Sequence, residues 1–176
     1  MRRKSPARAI AFVGISAATV ECGKLALAAL PNIEVVTLLI ALYGYVFGLL
    51  GVACAIVFVS IEPLIYGFGT WVATYFIYWP LVALVFALLG KLRVRGRFLM
   101  SGVAVTLTLF FGVLSSLIDV GLLSGFFDNF FYRFGIYYMR GIVFCALQTT
   151  CNALLFFFLF DFLSKKLCSV KKSFFQ

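Results

Sequence analysis

The chain has 176 residues, of which 64% are hydrophobic and only 12% are charged, and its mean hydropathy is +1.13. Soluble domains carry roughly 45–50% apolar and about 25% charged residues, so this composition excludes a water-soluble fold. The apolar runs are long and continuous, whereas strands of a membrane β-barrel alternate apolar and polar residues over about ten positions. The composition therefore predicts a single all-α integral membrane domain over residues 1–176.

Six apolar segments follow one another along the chain. Four of them have about the 20 residues that a helix needs to cross a bilayer. The apolar block between the first and second of these four is interrupted by the sequence GLLG at positions 48–51, which divides it into two shorter helices. We therefore expect a bundle of six transmembrane helices, over residues 7–30, 33–47, 51–65, 71–89, 98–123 and 136–163.

Twelve of the fifteen basic residues form three clusters, each beside a membrane segment. The positive-inside rule places such clusters in the cytoplasm, so both termini and the loop after the fourth helix are expected there. The net charge of +9 is thus explained by topology, and because each cluster is short and juxtamembrane, nucleic acid is not an expected partner. The clusters are Arg2, Arg3, Lys4 and Arg8; Lys91, Arg93, Arg95 and Arg97; and Lys165, Lys166, Lys171 and Lys172.

The same topology places three loops outside, around residues 30–34, 60–71 and 125–140. Ionisable groups at membrane depth usually face a bundle interior or a cavity. An aromatic belt at the interface accounts for single tyrosines and tryptophans, but not for carboxylates and amides on three separate loops. The pattern therefore favours an outward-facing site for a small organic ligand. Its candidate polar residues are Glu21, Glu34, Glu62, Asp119, Asp128, Asn32, Asn129, Arg133 and Arg140.

Two pairs of polar residues within apolar helices have two interpretations each. Glu21 and Lys24 are three residues apart and share a helix face, so they form an ion pair against a neighbouring helix, or one of them faces the ligand. Gln148 and Asn152 are four apart, and they hydrogen-bond to a neighbouring helix or contact the ligand. Arg133 and Arg140 flank three aromatic residues on the side where positive charge is unexpected, which makes them candidates for binding a carboxylate or phosphate.

Catalysis is not expected. The five cysteines are scattered through apolar segments without a CxxC pair, and the chain has no histidine. The usual ligands of structural zinc and the usual groups for general acid–base catalysis are therefore lacking. We expect no enzyme activity, no metal site and no cofactor.

Two blocks of sequence and one short motif resemble a known family. The blocks are KLALAALPNIEVVTLL (24–39) and EPLIYGFGTWVATYFIYWPL (62–81), and the motif is the AxxxA of Ala7 and Ala11. Together with the length and the six expected helices, they are similar to the S components of energy-coupling factor (ECF) transporters, the vitamin-binding membrane subunits of bacterial importers. The resemblance covers nearly the whole chain, and it implies a multi-pass protein of the bacterial plasma membrane.

The resemblance implies that transport requires several different subunits. An S component binds a vitamin or related micronutrient at the extracellular side, and it works with a transmembrane coupling subunit and two cytoplasmic ATPases. Consistent with this, the chain has no GxxxxGK[ST] phosphate-binding motif. Ala7 and Ala11 would contact the coupling subunit. The expected substrate-binding residues are Asn32, Glu34, Glu62, Tyr66, Trp71, Tyr75, Asp128, Asn129, Arg133 and Asn152.

Two other classes of protein remain open from the sequence. A non-transporting membrane scaffold or assembly subunit would bind no small molecule, and a membrane-embedded enzyme lacks the expected catalytic groups. For an S component, aromatic walls favour a flat heterocycle such as a flavin, or a large corrinoid, over a purely aliphatic compound. Pantothenate-like and queuosine-like compounds also remain open.

Overall fold

The computed structural model describes residues 6–175, apart from the side chains of residues 123 and 124. The described chain is all-helical, with 86% of its residues in helices and no strand. Arg2, Arg3 and Lys4 of the first basic cluster lie outside the described residues. The helices are α1 (Pro6–Ala26), α2 (Val36–Phe47), α3 (Leu49–Tyr66), α4 (Trp71–Lys91), α5 (Arg97–Ser124), α6 (Phe130–Leu155), a π-helical turn (Phe156–Phe160) and α7 (Asp161–Phe175).

Five helices of the described chain are long and apolar enough to cross a membrane, and α2 is a shorter apolar helix of 12 residues. This confirms the predicted all-helical class with several membrane-spanning helices, and it indicates a multi-pass membrane protein. The α2–α3 break that the sequence predicted is a single residue, Gly48. Its φ of 65° lies in the left-handed region that glycine adopts without strain. Because the break is so short, α3 has 18 residues and is longer than the predicted segment 51–65.

The last helix is longer than the predicted 136–163. The α6 helix, the π-helical turn and α7 run on as one helix of 46 residues, Phe130–Phe175. At 1.5 Å per residue this is about 70 Å, more than twice the roughly 30 Å of a bilayer core. The prediction stopped at the first lysines, but the helix continues because Phe174 and Phe175 pack against Phe12 of α1.

Helix α1, by contrast, ends before the predicted residue 30. Residues 27–30 form tight turns, with the Leu30 N–H donating to the Leu27 carbonyl at 2.9 Å. Pro31 follows, and a proline disfavours helical geometry in the residue before it. The segment from residue 27 to residue 35 is therefore an irregular connection that leads into α2.

Two ends of the bundle differ in their charge. At one end, Arg8 donates to the Phe174 carbonyl at 3.3 Å and Tyr45 donates to the Val94 carbonyl at 2.8 Å. Lys171 also donates to the carbonyl of Val46 at the end of α2. The start of α1, the α4–α5 connection and α7 thus meet at one end, which we call the basic end. The opposite end, called the cavity end, carries the connections 27–35, 67–70 and 125–129.

Candidate functional site

The short helix α2 begins deep within the bundle and leaves room at the cavity end. Its 12 residues extend about 18 Å, well short of a bilayer core of roughly 30 Å. The Glu34 carboxylate accepts the backbone N–H of Thr37 at 2.8 Å and also accepts the Thr37 hydroxyl. A carboxylate at this position satisfies a backbone donor of the first helical turn and complements the helix dipole. Glu34 therefore fixes the point at which α2 begins.

Asn152 on α6 joins three helices at the level of Glu34. Its side-chain amide nitrogen lies 2.9 Å from Glu34 Oε1, 3.1 Å from Thr108 Oγ1 on α5 and 3.4 Å from Thr37 Oγ1. The residue is fully buried. Of the two interpretations of Asn152, the structure shows the helix-to-helix hydrogen bonds. The side chain of Gln148, one turn earlier, makes no hydrogen bond to a described residue and lines a cavity instead.

Lys24 forms an ion pair with Glu62 of α3, and not with Glu21 of its own helix. Glu62 is fully buried, and an isolated buried carboxylate is costly, so a cation from the neighbouring helix stabilises it. The Lys24 ammonium also lies 4.1 Å from the ring centre of Tyr66 and 5.6 Å from that of Tyr75. The Tyr66 hydroxyl points to Glu21 Oε1 at 3.5 Å.

Two cavities adjoin one another at the cavity end. The deep cavity, of about 180 Å³, lies against the start of α2, and the outer cavity, of about 410 Å³, lies between α5 and α6. Asn32, Phe111 and Gln148 line both. The other residues of the deep cavity are Lys24, Glu34, Val36, Phe58, Tyr75 and Trp79. The other residues of the outer cavity are Gly112, Ser115, Ser116, Asp119, Tyr137, Tyr138, Arg140, Gly141, Phe144 and Cys145.

Aromatic rings on α4 and α5 form one wall of the deep cavity. Tyr75 meets Trp79 edge to face with ring centres 5.7 Å apart, and Trp79 lies 6.3 Å from Phe111. Neighbouring rings of the expected aromatic belt therefore differ in what they contact. Tyr75 and Trp79 line the cavity, whereas Trp71 packs on Tyr75 at 5.1 Å and supports it without lining the space. Tyr66 is about half exposed and contacts Lys24.

Asp119 is the main acidic group of the outer cavity. It accepts hydrogen bonds from the hydroxyls of Thr70, at the start of α4, and Tyr137 of α6, the latter at 3.0 Å. These bonds hold α4, α5 and α6 together around the cavity mouth. The sequence places Asp119 among the outer polar groups, but Asp119 is not one of the predicted binding residues. A carboxylate inside an apolar run was the available signal.

Three predicted binding residues, two on the α5–α6 connection and one in the first turn of α6, line neither cavity. The Arg133 guanidinium donates to the carbonyls of Gly125 at 2.9 Å and Phe127 at 3.4 Å, so it holds the connection in shape. Asn129 has a φ of 60° and begins α6 by accepting the Arg133 N–H at 3.0 Å. Asp128 is exposed. Arg140, the other outer arginine, does line the outer cavity.

The small residues of α1 lie on the surface of the bundle. Ala7 and Ala11 are exposed, and so are Gly14 and Ala18 one and two turns further along. A Cβ at Gly14 would meet no heavy atom within 4 Å. Within residues 6–175, no other helix covers this strip.

Comparisons with known proteins do not assign the chain to a family: no family model matches it, and neither a curated protein nor a solved structure is detectably similar. Among residues 6–175, no group of three or more His, Cys, Asp or Glu side chains is arranged to hold a metal ion. The site must therefore be interpreted from its own geometry.

Proposed function

We propose that this chain is the S component of an ECF-type importer. It binds a vitamin or related micronutrient from outside the cell and delivers it inward, in a bacterial plasma membrane, with a separate coupling subunit and two ATPases. The observation that carries the proposal is the pair of adjoining cavities at the end of the bundle away from the basic clusters. By the positive-inside rule that end faces outward.

The proposed topology has six crossings and both termini in the cytoplasm. It counts α2 as a crossing that is completed by the irregular connection 27–35. Irregular backbone at membrane depth is tolerated where it is buried in protein or lines a cavity, and Asn32 and Glu34 of this connection do line one. The arrangement gives the solute a route from the outer surface to the start of α2.

The strip of small residues on α1 supports the docking part of the proposal. Small side chains let two membrane helices approach closely, and Ala7 and Ala11 lie exposed at the basic end. That end faces the cytoplasm in the proposed topology, where ATPase subunits operate. Because the chain has no phosphate-binding motif of its own, the energy would come from a partner.

Ligand capture is tested on the purified protein in detergent. Native mass spectrometry would identify a co-purified solute, and thermal shifts with a panel of water-soluble vitamins would follow binding, because a bound ligand raises apparent stability. The proposal expects a stoichiometric small molecule or a saturable shift. A protein that binds none of the panel and carries no solute would instead be a scaffold or assembly subunit.

Docking is tested with Ala11→Trp, measured as uptake of the identified solute by cells that also produce the coupling subunit and ATPases. We expect uptake to fall at least about tenfold, because the large ring keeps the partner helix from approaching. Ala146→Trp, at an exposed alanine on α6, is the matched control. Ligand binding by the purified variants should remain unchanged, and equal uptake by both variants would contradict docking through α1.

A further inference from the structure

The deep cavity is shaped for a flat ring. Four aromatic side chains line it, and they come from three helices: Phe58 of α3, Tyr75 and Trp79 of α4, and Phe111 of α5. Its volume of about 180 Å³ is below the roughly 300–1,000 Å³ of sites that enclose drug-sized ligands, so it holds one ring system and not a large molecule. The outer cavity leaves room for a substituent that extends from the ring.

The charges around this cavity are not balanced. Lys24 is paired with Glu62, and its charge is thereby compensated. Glu34 lines the cavity, yet its hydrogen-bond partners Thr37 and Asn152 are neutral, and no basic side chain among residues 6–175 pairs with it. Glu21 adds a third carboxylate. Its Oε1 lies 3.5 Å from the hydroxyl of Tyr66.

An unbalanced carboxylate within aromatic walls is suited to a cation. Aromatic faces attract organic cations through their quadrupole, and aromatic cages are a common way to recognise them. Taking a carboxylate out of water is costly unless an opposite charge or strong donors accompany it. Glu34 has the donors, and a bound cation would supply the charge. Arg140 does not compensate it, since Arg140 lines the outer cavity alone.

We propose that the deep cavity binds a flat nitrogen heterocycle that carries a positive charge, with the ring between Tyr75, Trp79 and Phe111 and the charge facing Glu34. The inference rests on the proposed function and narrows its substrate class, because neutral and anionic vitamins are then disfavoured. An inorganic cation is a poorer occupant. The cavity is far larger than one ion, and aromatic rings offer none of the oxygen ligands that hard cations take.

The test compares three quinolines of similar size by calorimetry on the wild-type protein in detergent. They are N-methylquinolinium, which is cationic, quinoline, which is neutral, and quinoline-2-carboxylate, which is anionic. We expect the cation to bind at least about tenfold more tightly than the other two, the difference that one charge-assisted contact supports. Preferred binding of the neutral or anionic probe would overturn the inference.

The variant Glu34→Gln then tests whether the carboxylate of Glu34 is the negative charge that the bound cation faces. The glutamine carbonyl still accepts the Thr37 N–H, so α2 keeps its starting point, while the negative charge is gone. We expect the affinity for N-methylquinolinium to fall at least about tenfold and the affinity for quinoline to stay the same. Asp161→Asn, which removes one negative charge at the start of α7, is the matched control and should leave both unchanged. An equal loss in both variants would contradict a specific role of Glu34.

Two further outcomes separate this inference from the proposed function. A neutral or anionic solute found by native mass spectrometry would overturn the cationic class while the importer proposal stands. Stabilisation by sodium or potassium chloride alone, abolished by Glu34→Gln and not displaced by N-methylquinolinium, would show an inorganic cation site and overturn the inference. If neither the quinolines nor any vitamin binds, both proposals fail.

Discussion

The two ends of this bundle are built on different physical principles. Towards the basic end, helices α2 and α4 approach so closely that a Cβ on Gly44 would lie 2.3 Å from the Ala83 carbonyl oxygen, and one on Gly90 would lie 2.1 Å from that of Tyr45. Phe86 and Phe160 fill the adjacent core with ring centres 5.5 Å apart. At the cavity end, polar pairs connect the helices and leave open space between them.

The two halves are stabilised by different interactions, and these interactions differ in how much space they leave between the helices. Dense packing at the small residues of α2 and α4 leaves no volume for a solute between these two helices, and it holds them together. Hydrogen bonds and ion pairs fix the positions of side chains at the cavity end without filling the space. Open space at the cavity end and dense packing between α2 and α4 are thus compatible within one short chain.

The largest expected effect comes from Lys24→Met, which leaves Glu62 as a buried carboxylate without its cation. Breaking a buried pair typically costs about 3–5 kcal/mol, and because Lys24 is partly exposed we expect about 3 kcal/mol of unfolding free energy to be lost. The measurement is unfolding in mixed detergent micelles, with Lys165→Met at an exposed lysine as the control. Adding Glu62→Gln to Lys24→Met should recover most of the loss, and no recovery would argue against the pair.

Gly44→Ala tests the dense half. The new methyl group would collide with the Ala83 carbonyl, and overpacking of this kind costs about 1–3 kcal/mol. We expect the apparent melting temperature in detergent to fall. Gly102→Ala is the same change on α5 with no heavy atom within 4 Å of the new Cβ, and it should be neutral or stabilise by up to about 1 kcal/mol. Similar melting temperatures for the two variants would contradict the close approach of α2 and α4.

A comparison of Asn152→Leu with Gln148→Leu separates structural amides from binding amides. Asn152→Leu removes the donor that Glu34 and Thr108 share, so we expect a loss of about 1–2 kcal/mol in unfolding free energy. Gln148→Leu removes no such bond, and its stability should stay within about 0.5 kcal/mol of the wild type. Its ligand affinity should fall, since Gln148 lines both cavities. A larger loss of stability in Gln148→Leu than in Asn152→Leu would assign the structural role to Gln148.

Arg133→Ala should have the smallest effect, a loss of about 0.5–1 kcal/mol with faster proteolytic cleavage in the α5–α6 connection. The guanidinium holds the carbonyls of Gly125 and Phe127, so its removal loosens that segment. Arg140→Ala should leave cleavage unchanged, because Arg140 contacts the outer cavity and not the connection. Unchanged cleavage in Arg133→Ala would mean that other contacts hold the connection in place.

Several features of the fold were predictable because they depend on local composition. Long apolar runs predicted the helices, and the sequence GLLG at 48–51 predicted a break between α2 and α3, which the structure places at Gly48 alone. The end of the last helix was not predictable from its lysines. It depends on Phe174 and Phe175 packing against Phe12, a residue more than 150 positions away in the chain. Local hydropathy carries no information about such a contact.

The site was predictable in part. Asn32, Glu34 and Tyr75 were predicted as binding residues from their residue type alone, and all three line a cavity. Residue type did not distinguish Arg133, which holds a loop, from Arg140, which faces a cavity, because both are arginines on the same outer segment. Phe111 was not selected at all, since one phenylalanine among 22 gives no signal until its neighbours in space are known.

The sequence by itself determined the class of this protein, because a chain with 64% hydrophobic residues in long runs folds as a bundle of membrane helices. Only the tertiary structure decided which polar groups pair with one another and which face open space. Lys24 is near Glu21 along the chain, yet it pairs with Glu62, since the packing of α1 against α3 sets the distance between the charged groups. The same packing leaves Glu34 among neutral partners beside an aromatic wall.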